Sequence, residues 1–354
     1  MHIYRPRGQA SRREVLGGAL KTLAAAGSVA LLPNSLLRGQ NAKPGAVAAN
    51  PRRIDLHHHH RPPGEVGGPN NKWTPAASIE QMDKYGIATA LVSLSQVATL
   101  ALSTIYAGGE KGRSLTRSAN EYGAKLAQDY PGRFGLFASV PLPDPEGSLR
   151  EIEYAFDVLK ADGIGLYTNT GDKWLGDPQF APVFDELNRR KAVVFIHPIV
   201  PNCCRGLIEG VSDFALEIDF DMARGITSML VNGTFSHCPN ITFILAHSGG
   251  TLPVLAGRIK DRYPKGKVFE DRVPHGVLYE LKRLHFEVAH ATFPEPLAAL
   301  LKLVPPAQVH FGTDYPAEPI ASTVDNLPDS GLSADVLRGI DRGNAERLFP
   351  RFKA

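Results

Sequence analysis

The sequence predicts an α/β fold in which eight strands, each followed by a helix, close into a (β/α)8 barrel. Short apolar runs recur along the chain from Arg52 onward, and amphipathic segments with apolar residues three and four apart lie between them. Strands that alternate with helices are expected to be parallel, with right-handed crossovers. A chain of 354 residues, 43% of them hydrophobic, has the length and the apolar content for one such barrel.

The predicted strands are all short, mainly apolar runs. In chain order they cover residues 53–56, 88–94, 134–140, 163–167, 192–196, 241–246, 284–288 and 309–312. Helices are predicted between them, and the clearest cover residues 148–160, 178–190 and 296–303. Residues 199–219 carry few structural signals, so we expect a loop over the barrel mouth there.

The N-terminal segment is similar to an export signal. Residues 11–16 (SRREVL) resemble a twin-arginine motif, and they precede an Ala- and Gly-rich apolar stretch, residues 17–32, that is too short to span a membrane. We therefore expect a signal peptide and linker over 1–45, a barrel domain over 50–354, and periplasmic export through the twin-arginine (Tat) machinery. The alternative is a disordered or helical N-terminal arm.

Charge and cysteine content argue against several classes of protein. The chain has 39 Lys and Arg residues against 36 Asp and Glu, which does not indicate a surface for nucleic acid, and no stable membrane span is expected. Cys203 and Cys204 are adjacent and Cys238 is alone, so the three cysteines do not predict a disulfide framework and are interpreted as structural. A small molecule is the expected partner.

Metal-ligating residue types follow four of the predicted strands. Four consecutive histidines, residues 57–60, follow the first strand, and His197, His247 and Asp314 follow the fifth, sixth and eighth. The chemistry of (β/α)8 barrels takes place at the carboxyl ends of the strands, where these side chains are expected to converge. Because histidine and carboxylate together are common ligands of divalent transition metals, the sequence predicts a metal site at the barrel mouth.

The four histidines form two alternating pairs that compete for the metal. Side chains at positions i and i+2 of an extended strand point the same way, so His57 and His59 form one pair, and His58 and His60 the other. We favour His57 and His59, because they lie nearest the apolar run. Asp55 lies two positions deeper in the barrel than His57 and is interpreted as a carboxylate that supports the site.

Four motifs resemble the amidohydrolase superfamily. They are IDLHHH at 54–59, FIHP at 195–198, AHSGG at 246–250 and FGTDYP at 311–316. Within the superfamily they are similar to the branch that contains aminocarboxymuconate-semialdehyde decarboxylase and the salicylate-, methylsalicylate- and resorcylate-type decarboxylases. The resemblance extends to GNAERLFP at 343–350, and it implies a TIM barrel of the metal-dependent hydrolase type.

The resemblance also implies a role for each strand-end residue. It assigns His57, His59, His197 and Asp314 to the metal, and it places His247 beside the metal in contact with water or substrate. Asp314 and His247 are then the catalytic residues. Zinc is the ion usually found in such proteins, and manganese occurs in some of the decarboxylases.

The end of the fourth strand favours a single metal ion. It reads GLYTN at 165–169, without the lysine that bridges two metals in many amidohydrolases, and Lys173 comes later in a segment expected to be solvated. The resemblance then implies a non-oxidative decarboxylase of a small aromatic or unsaturated carboxylic acid. A mononuclear hydrolase of a lactone, amide or ester is the first alternative, and a non-catalytic metal-binding protein is the second. Because related proteins are commonly dimers or tetramers, a homo-oligomer is also considered.

The sequence alone does not assign the remaining contacts of the site. Glu287, in the seventh strand, is interpreted as an ion-pair partner inside the barrel wall, with a substrate contact as the alternative. His290 is interpreted as a residue of the barrel lip. Guanidinium groups match a carboxylate well, so the candidates for binding the substrate carboxylate are Arg61, Arg205 and Arg224.

Overall fold

The computed structural model describes residues 51–68, 71–95, 103–105, 107–171 and 173–353. Its main sheet has eight strands, all parallel, and each strand pairs with its neighbours in chain order. They are β1 Arg53–His60, β2 Ile87–Leu94, β3 Phe134–Ser139, β4 Gly163–Tyr167, β5 Val193–His197, β6 Thr242–Leu245, β7 His285–Glu287 and β8 Val309–His310. The N–H of Leu56 donates to the Phe311 carbonyl at 3.0 Å, which joins the last strand region to the first. The predicted (β/α)8 barrel is confirmed.

Helices lie between the strands. The longer ones, α1 to α7, are Pro75–Lys84, Gly109–Asp129, Pro145–Asp157, Ala181–Arg189, Glu217–Val231, Leu252–Arg262 and Pro294–Leu303. Shorter helical segments are Thr234–His237, Lys267–Arg272, Val277–Leu281, Ala321–Val324, Ala334–Arg338 and Asn344–Leu348. No helix in the described part of the chain has the length and apolar character needed to cross a bilayer. The predicted signal segment, residues 1–45, lies outside the described residues.

The first strand is longer than predicted. β1 does not end before the histidines but continues through all four of them to His60, and each of its residues is buried. His58 points away from the barrel axis and still finds partners, since Asp55 Oδ2 accepts from its Nδ1 at 3.0 Å and Ser78 Oγ lies 2.7 Å from its Nε2. The His60 ring packs 5.9 Å from that of Tyr122 in α2. Partners from the strand itself and from two helices therefore allow it to carry buried polar rings.

Aromatic side chains form the floor beneath the histidines. Phe195 of β5 lies two residues before the strand end, on the same side as His197, and its ring is 5.1 Å from that of His57. Phe137 of β3 stacks on Phe195 at 5.2 Å. Fully burying a side chain of this size stabilises a fold by about 1.5–3 kcal/mol. The floor therefore stabilises the barrel and closes the site from below.

Two element boundaries differ from the prediction for identifiable reasons. α3 begins at Pro145 rather than at 148, because Asp144 caps it by accepting a hydrogen bond from the N–H of Gly147 at 2.9 Å. α5 begins at Glu217, which shortens the predicted loop over 199–219. The rest of that loop contains two 3-10 turns, Asn202–Cys204 and Asp213–Ala215.

Candidate active site

Four side chains converge at the carboxyl end of the barrel. His57 lies in β1, His197 ends β5, His247 follows β6, and Asp314 follows β8. One ligand atom from each lies within 4.8 Å of the others, and all four residues are buried. Three imidazole nitrogens and one carboxylate oxygen are a donor set that suits a divalent transition metal. Residues that are far apart in sequence thus form a candidate metal site where the strand pattern predicts it.

His59, the other predicted ligand from β1, borders the same group. Its Nε2 lies 2.9 Å from Asp314 Oδ1 and 3.2 Å from His57 Nε2. On the other side of the carboxylate, His247 Nε2 lies 3.5 Å from Asp314 Oδ2. The structure therefore brings all five predicted site residues together, with His59 and His247 near different oxygens of Asp314.

Several polar atoms of this group have no hydrogen-bond partner. Among the described residues, His197 Nε2, both ring nitrogens of His247, and Asp314 Oδ1 are buried and unpartnered. A buried polar atom without a partner costs about 1–3 kcal/mol. A divalent ion fits this arrangement, because imidazole nitrogen and carboxylate oxygen both offer it lone pairs.

Glu287, at the end of β7, orients one of the predicted ligands. Its Oε1 accepts from His57 Nδ1 at 2.8 Å and from the backbone N–H of His247 at 2.7 Å, and its Oε2 accepts from the N–H of Ala289 at 2.6 Å. Because Nδ1 of His57 donates to the carboxylate, Nε2 is the ring nitrogen that faces the metal pocket. The interpretation of Glu287 as a partner inside the barrel wall is confirmed, and the residue also orients a predicted ligand.

Asp55 joins the strand that carries His57 to the turn that carries Asp314. Its Oδ1 accepts from the backbone N–H of His57 at 3.0 Å and from that of Thr313 at 3.1 Å, and its Oδ2 accepts from the Thr313 hydroxyl at 2.6 Å. In addition, the N–H of Asp314 donates to the carbonyl of His57 at 2.7 Å. The interpretation of Asp55 as a supporting carboxylate is confirmed.

The buried carboxylates and imidazoles shift one another's protonation. Burial opposes ionisation of Asp314, but His57 and the other histidines hold the pKa of Asp314 well below its usual range. Burial likewise disfavours protonation of His57, yet Glu287 and Asp314 raise the pKa of His57 to about 10. The pKa of His197, by contrast, is held well below its usual value by burial. Asp314 is therefore ionised, and its negative charge favours a cation in the pocket.

Left-handed backbone is concentrated around the site. Positive φ angles occur at His247 (52°), Ser248 (53°), His290 (58°) and Asp314 (59°), each just after β6, β7 or β8. Such angles are uncommon outside glycine and cost about 1–3 kcal/mol each. His290 Nε2 lies 2.8 Å from Asp314 Oδ2, so His290 does more than line the barrel lip. The sequence contains no motif that signals this contact.

Lys173 and two of the candidate arginines have their contacts elsewhere. Lys173 is exposed and lies 3.5 Å from Asp177, and no lysine of the described chain stands at the end of β4. Arg205 donates to a backbone carbonyl at 3.1 Å, and Arg224 lies 3.6 Å from a glutamate of its own helix. Among the described residues, Arg61 has a buried Nε without a hydrogen-bond partner, as has Arg224 at Nη1. Because Arg61 directly follows β1, it stays a candidate for contact with the substrate carboxylate.

Comparison with known proteins identifies the family. The amidohydrolase family model matches residues 54–351. Decarboxylase yanB of Aspergillus niger is 34% identical over 329 residues, which cover 85% of this chain and 88% of that protein. The 6-methylsalicylic acid decarboxylase of Penicillium expansum is 31% identical over 319 residues, which cover 85% of this chain and 97% of that protein. A dihydroxybenzoic acid decarboxylase from Polaromonas, solved with bound manganese, superposes with a TM-score of 0.71 at 21% identity, over 85% of this chain and 98% of that chain. The chain therefore belongs to the amidohydrolase family, in the decarboxylase branch that its motifs resemble.

Proposed function

We propose that the protein is a metal-dependent, non-oxidative decarboxylase of a small aromatic or unsaturated carboxylic acid. The observation that carries the proposal is the group of His57, His197, His247 and Asp314 at the barrel mouth, whose ligand atoms lie within 4.8 Å of one another. One relative is named for 6-methylsalicylic acid, and one structural neighbour for dihydroxybenzoic acid. Hydroxybenzoates are therefore the first substrates to test.

In this proposal one divalent ion is bound by His57, His59, His197 and Asp314, and His247 faces the substrate. Geometry supports the division, because the Nε2 atoms of the first three lie 3.2, 2.9 and 3.9 Å from Asp314 Oδ1. His247 Nε2 instead lies 3.5 Å from Oδ2. We propose Zn²⁺ as the ion and Mn²⁺ as the alternative, since a mixed imidazole and carboxylate set suits both.

Decarboxylation breaks the bond between the substrate carbon and its carboxylate and delivers a proton to that carbon. A divalent ion held by His57, His59, His197 and Asp314 would supply positive charge that binds the substrate carboxylate and takes up developing negative charge. Asp314, which is ionised in the resting site, accepts a proton from water and passes it to the carbon that loses carbon dioxide. His247 donates a hydrogen bond to the substrate oxygen on which charge accumulates. Because a proton replaces carbon dioxide, the reaction needs no oxidant or reductant.

Metal analysis followed by a carbon dioxide release assay tests the function. We expect one divalent ion per chain, release from at least one acid of a hydroxybenzoate and muconate-like panel, and loss of release in Asp314→Asn. Metal without release on any acid would favour the hydrolase, and the next panel would then contain lactones, amides and esters. A protein that binds no divalent metal would refute both.

Two single variants test the ligand assignment. His59→Ala should lose metal during dialysis, because it removes a proposed ligand. His247→Ala should keep its metal and lose activity, because it removes only the residue that faces the substrate. Metal loss from His247→Ala with retention by His59→Ala would reverse the assignment.

We further propose that residues 1–45 direct export to the periplasm. The support is the SRREVL motif and the apolar stretch that follows it. Replacing Arg12 and Arg13 together by lysine should leave the protein in the cytoplasmic fraction of the producing cells. An unchanged distribution between the fractions would contradict the proposal.

A further inference from the structure

His290 differs from the other histidines of the site in its position. Its side chain is 33% exposed, whereas that of Asp314 is 4% exposed. It is not one of the four residues grouped around the metal pocket, yet its Nε2 lies 2.8 Å from Asp314 Oδ2. Its ring centroid is 4.5 Å from that of His247. His290 therefore lies on the solvent side of the site and contacts both residues that the proposed reaction uses.

The two oxygens of Asp314 have different surroundings. Oδ1 faces the Nε2 atoms of His57 and His59 at 3.2 and 2.9 Å, and it is unpartnered among the described residues. Oδ2 lies 2.8 Å from His290 Nε2. Because an ionised carboxylate only accepts hydrogen bonds, His290 Nε2 must carry the hydrogen and donate it. The terminal torsion of an aspartate is soft, so this bond opposes rotation of the carboxylate from the Oδ2 side.

The backbone keeps His290 at the position that this bond requires. Its φ of 58° lies in the left-handed region, which non-glycine residues rarely adopt. The turn before it is held by Glu287, whose Oε2 accepts from the N–H of Ala289 at 2.6 Å while Oε1 accepts from His57. One buried carboxylate thus fixes both a proposed metal ligand and the turn that presents His290.

We propose that His290 is a positioning residue that locks the Asp314 carboxylate, with Oδ1 toward the metal pocket and Oδ2 toward the substrate. Its effect on the reaction rests on the proposed function. The lock itself is a property of the metal-loaded chain and can be measured without a substrate. A merely structural histidine would alter stability and leave the orientation of the carboxylate unchanged.

The test compares variants that keep or remove the donor. His290→Phe keeps a ring without the donor, and His290→Gln keeps an N–H that reaches Oδ2. His290→Gly fits the left-handed backbone and replaces the Phe variant if that variant does not fold. The matched control is His237→Phe, because His237 forms the same kind of contact with Asp185, at 3.0 Å, on the exposed surface. Each full-length protein is loaded with Co²⁺, whose visible absorption reports ligand geometry, and is then assayed for carbon dioxide release.

We expect the Phe and Gly variants of His290 to shift the Co²⁺ spectrum and to lower kcat about 10- to 100-fold, with KM changed less than about threefold. The Gln variant and His237→Phe should give the wild-type spectrum. A Phe or Gly variant with the wild-type spectrum overturns the proposal whatever its activity, and so does a Gln variant that fails to restore the spectrum. If the wild-type protein releases no carbon dioxide but the spectra behave as expected, the positioning role stands and the proposed function fails.

Discussion

Glu287→Gln should weaken metal binding, because it removes one acceptor from a buried group that uses both oxygens. The carboxylate accepts from His57 Nδ1 at 2.8 Å and from the N–H groups of His247 and Ala289 at 2.7 and 2.6 Å. Glutamine has a single accepting oxygen, so at least one of these donors will face an amide NH2 group. Losing a hydrogen bond to a charged group costs about 1.5–3 kcal/mol, which corresponds to a factor of about 10 to 150 in an equilibrium constant.

Competition with a chromophoric chelator measures how much of this free-energy cost appears as weaker metal binding. We expect the apparent Kd to rise about 10- to 100-fold, because a neutral amide orients His57 less firmly than the carboxylate does. The matched control is Glu280→Gln, since Glu280 is also buried and pairs with Arg283 at 2.7 Å on a short helix outside the barrel mouth. That variant should lower Tm and leave metal affinity unchanged. Equal affinities in the two variants would refute the reasoning that Glu287 orients a ligand.

Asp55→Asn should lower the free energy of unfolding by about 1–3 kcal/mol, because the buried side chain that joins the first strand to the turn after the last strand would lose one accepting oxygen. A denaturant titration that shows no loss of stability would contradict this. Lys173→Met should leave elemental analysis at one ion per chain, because this exposed lysine pairs with Asp177 and not with the site; a fall in metal content would argue against a single-ion site. The hydrogen bond from Arg113 holds the pKa of Asp144 below its ordinary 3.8, so the ionised Asp144 stabilises the fold above that pH and this stabilisation is lost as pH falls through the lower, folded-state value. Asp144→Asn keeps the helix cap but removes the ionisable group, so it should flatten the acid limb of unfolding free energy against pH; an unchanged limb would count against the Arg113 contact.

Strand positions could be predicted wherever apolar residues reach the strand ends. β4 matches the predicted 163–167 in full, because the apolar run and the extended backbone coincide. β1 was predicted too short, because histidine is polar and the apolar run stops at Leu56. The partners that bury His58, from Asp55 and from α1, are contacts that an apolar pattern does not contain.

The convergence of the candidate site residues could be predicted, because each lies at or just after the carboxyl end of a strand and the barrel brings those ends together. The role of Glu287 could not be decided, because its partner His57 lies 230 positions away in the sequence. His290 was harder still, since its importance depends on a left-handed φ and on which oxygen of Asp314 it contacts. Neither property follows from residue type or spacing.

Positive φ angles outside glycine occur at both ends of this barrel. Lys160 and Lys191, with φ of 57° and 52°, lie just before β4 and β5, at the end remote from the histidines. Glycine would relieve the strain at any such position, so selection for heat resistance alone would favour it at both ends. At the amino ends of the strands, this gain in stability would leave catalysis intact. At His247, His290 or Asp314 it would remove a side chain of the proposed site, so a library for thermal stability should vary the two lysines and hold the mouth residues constant.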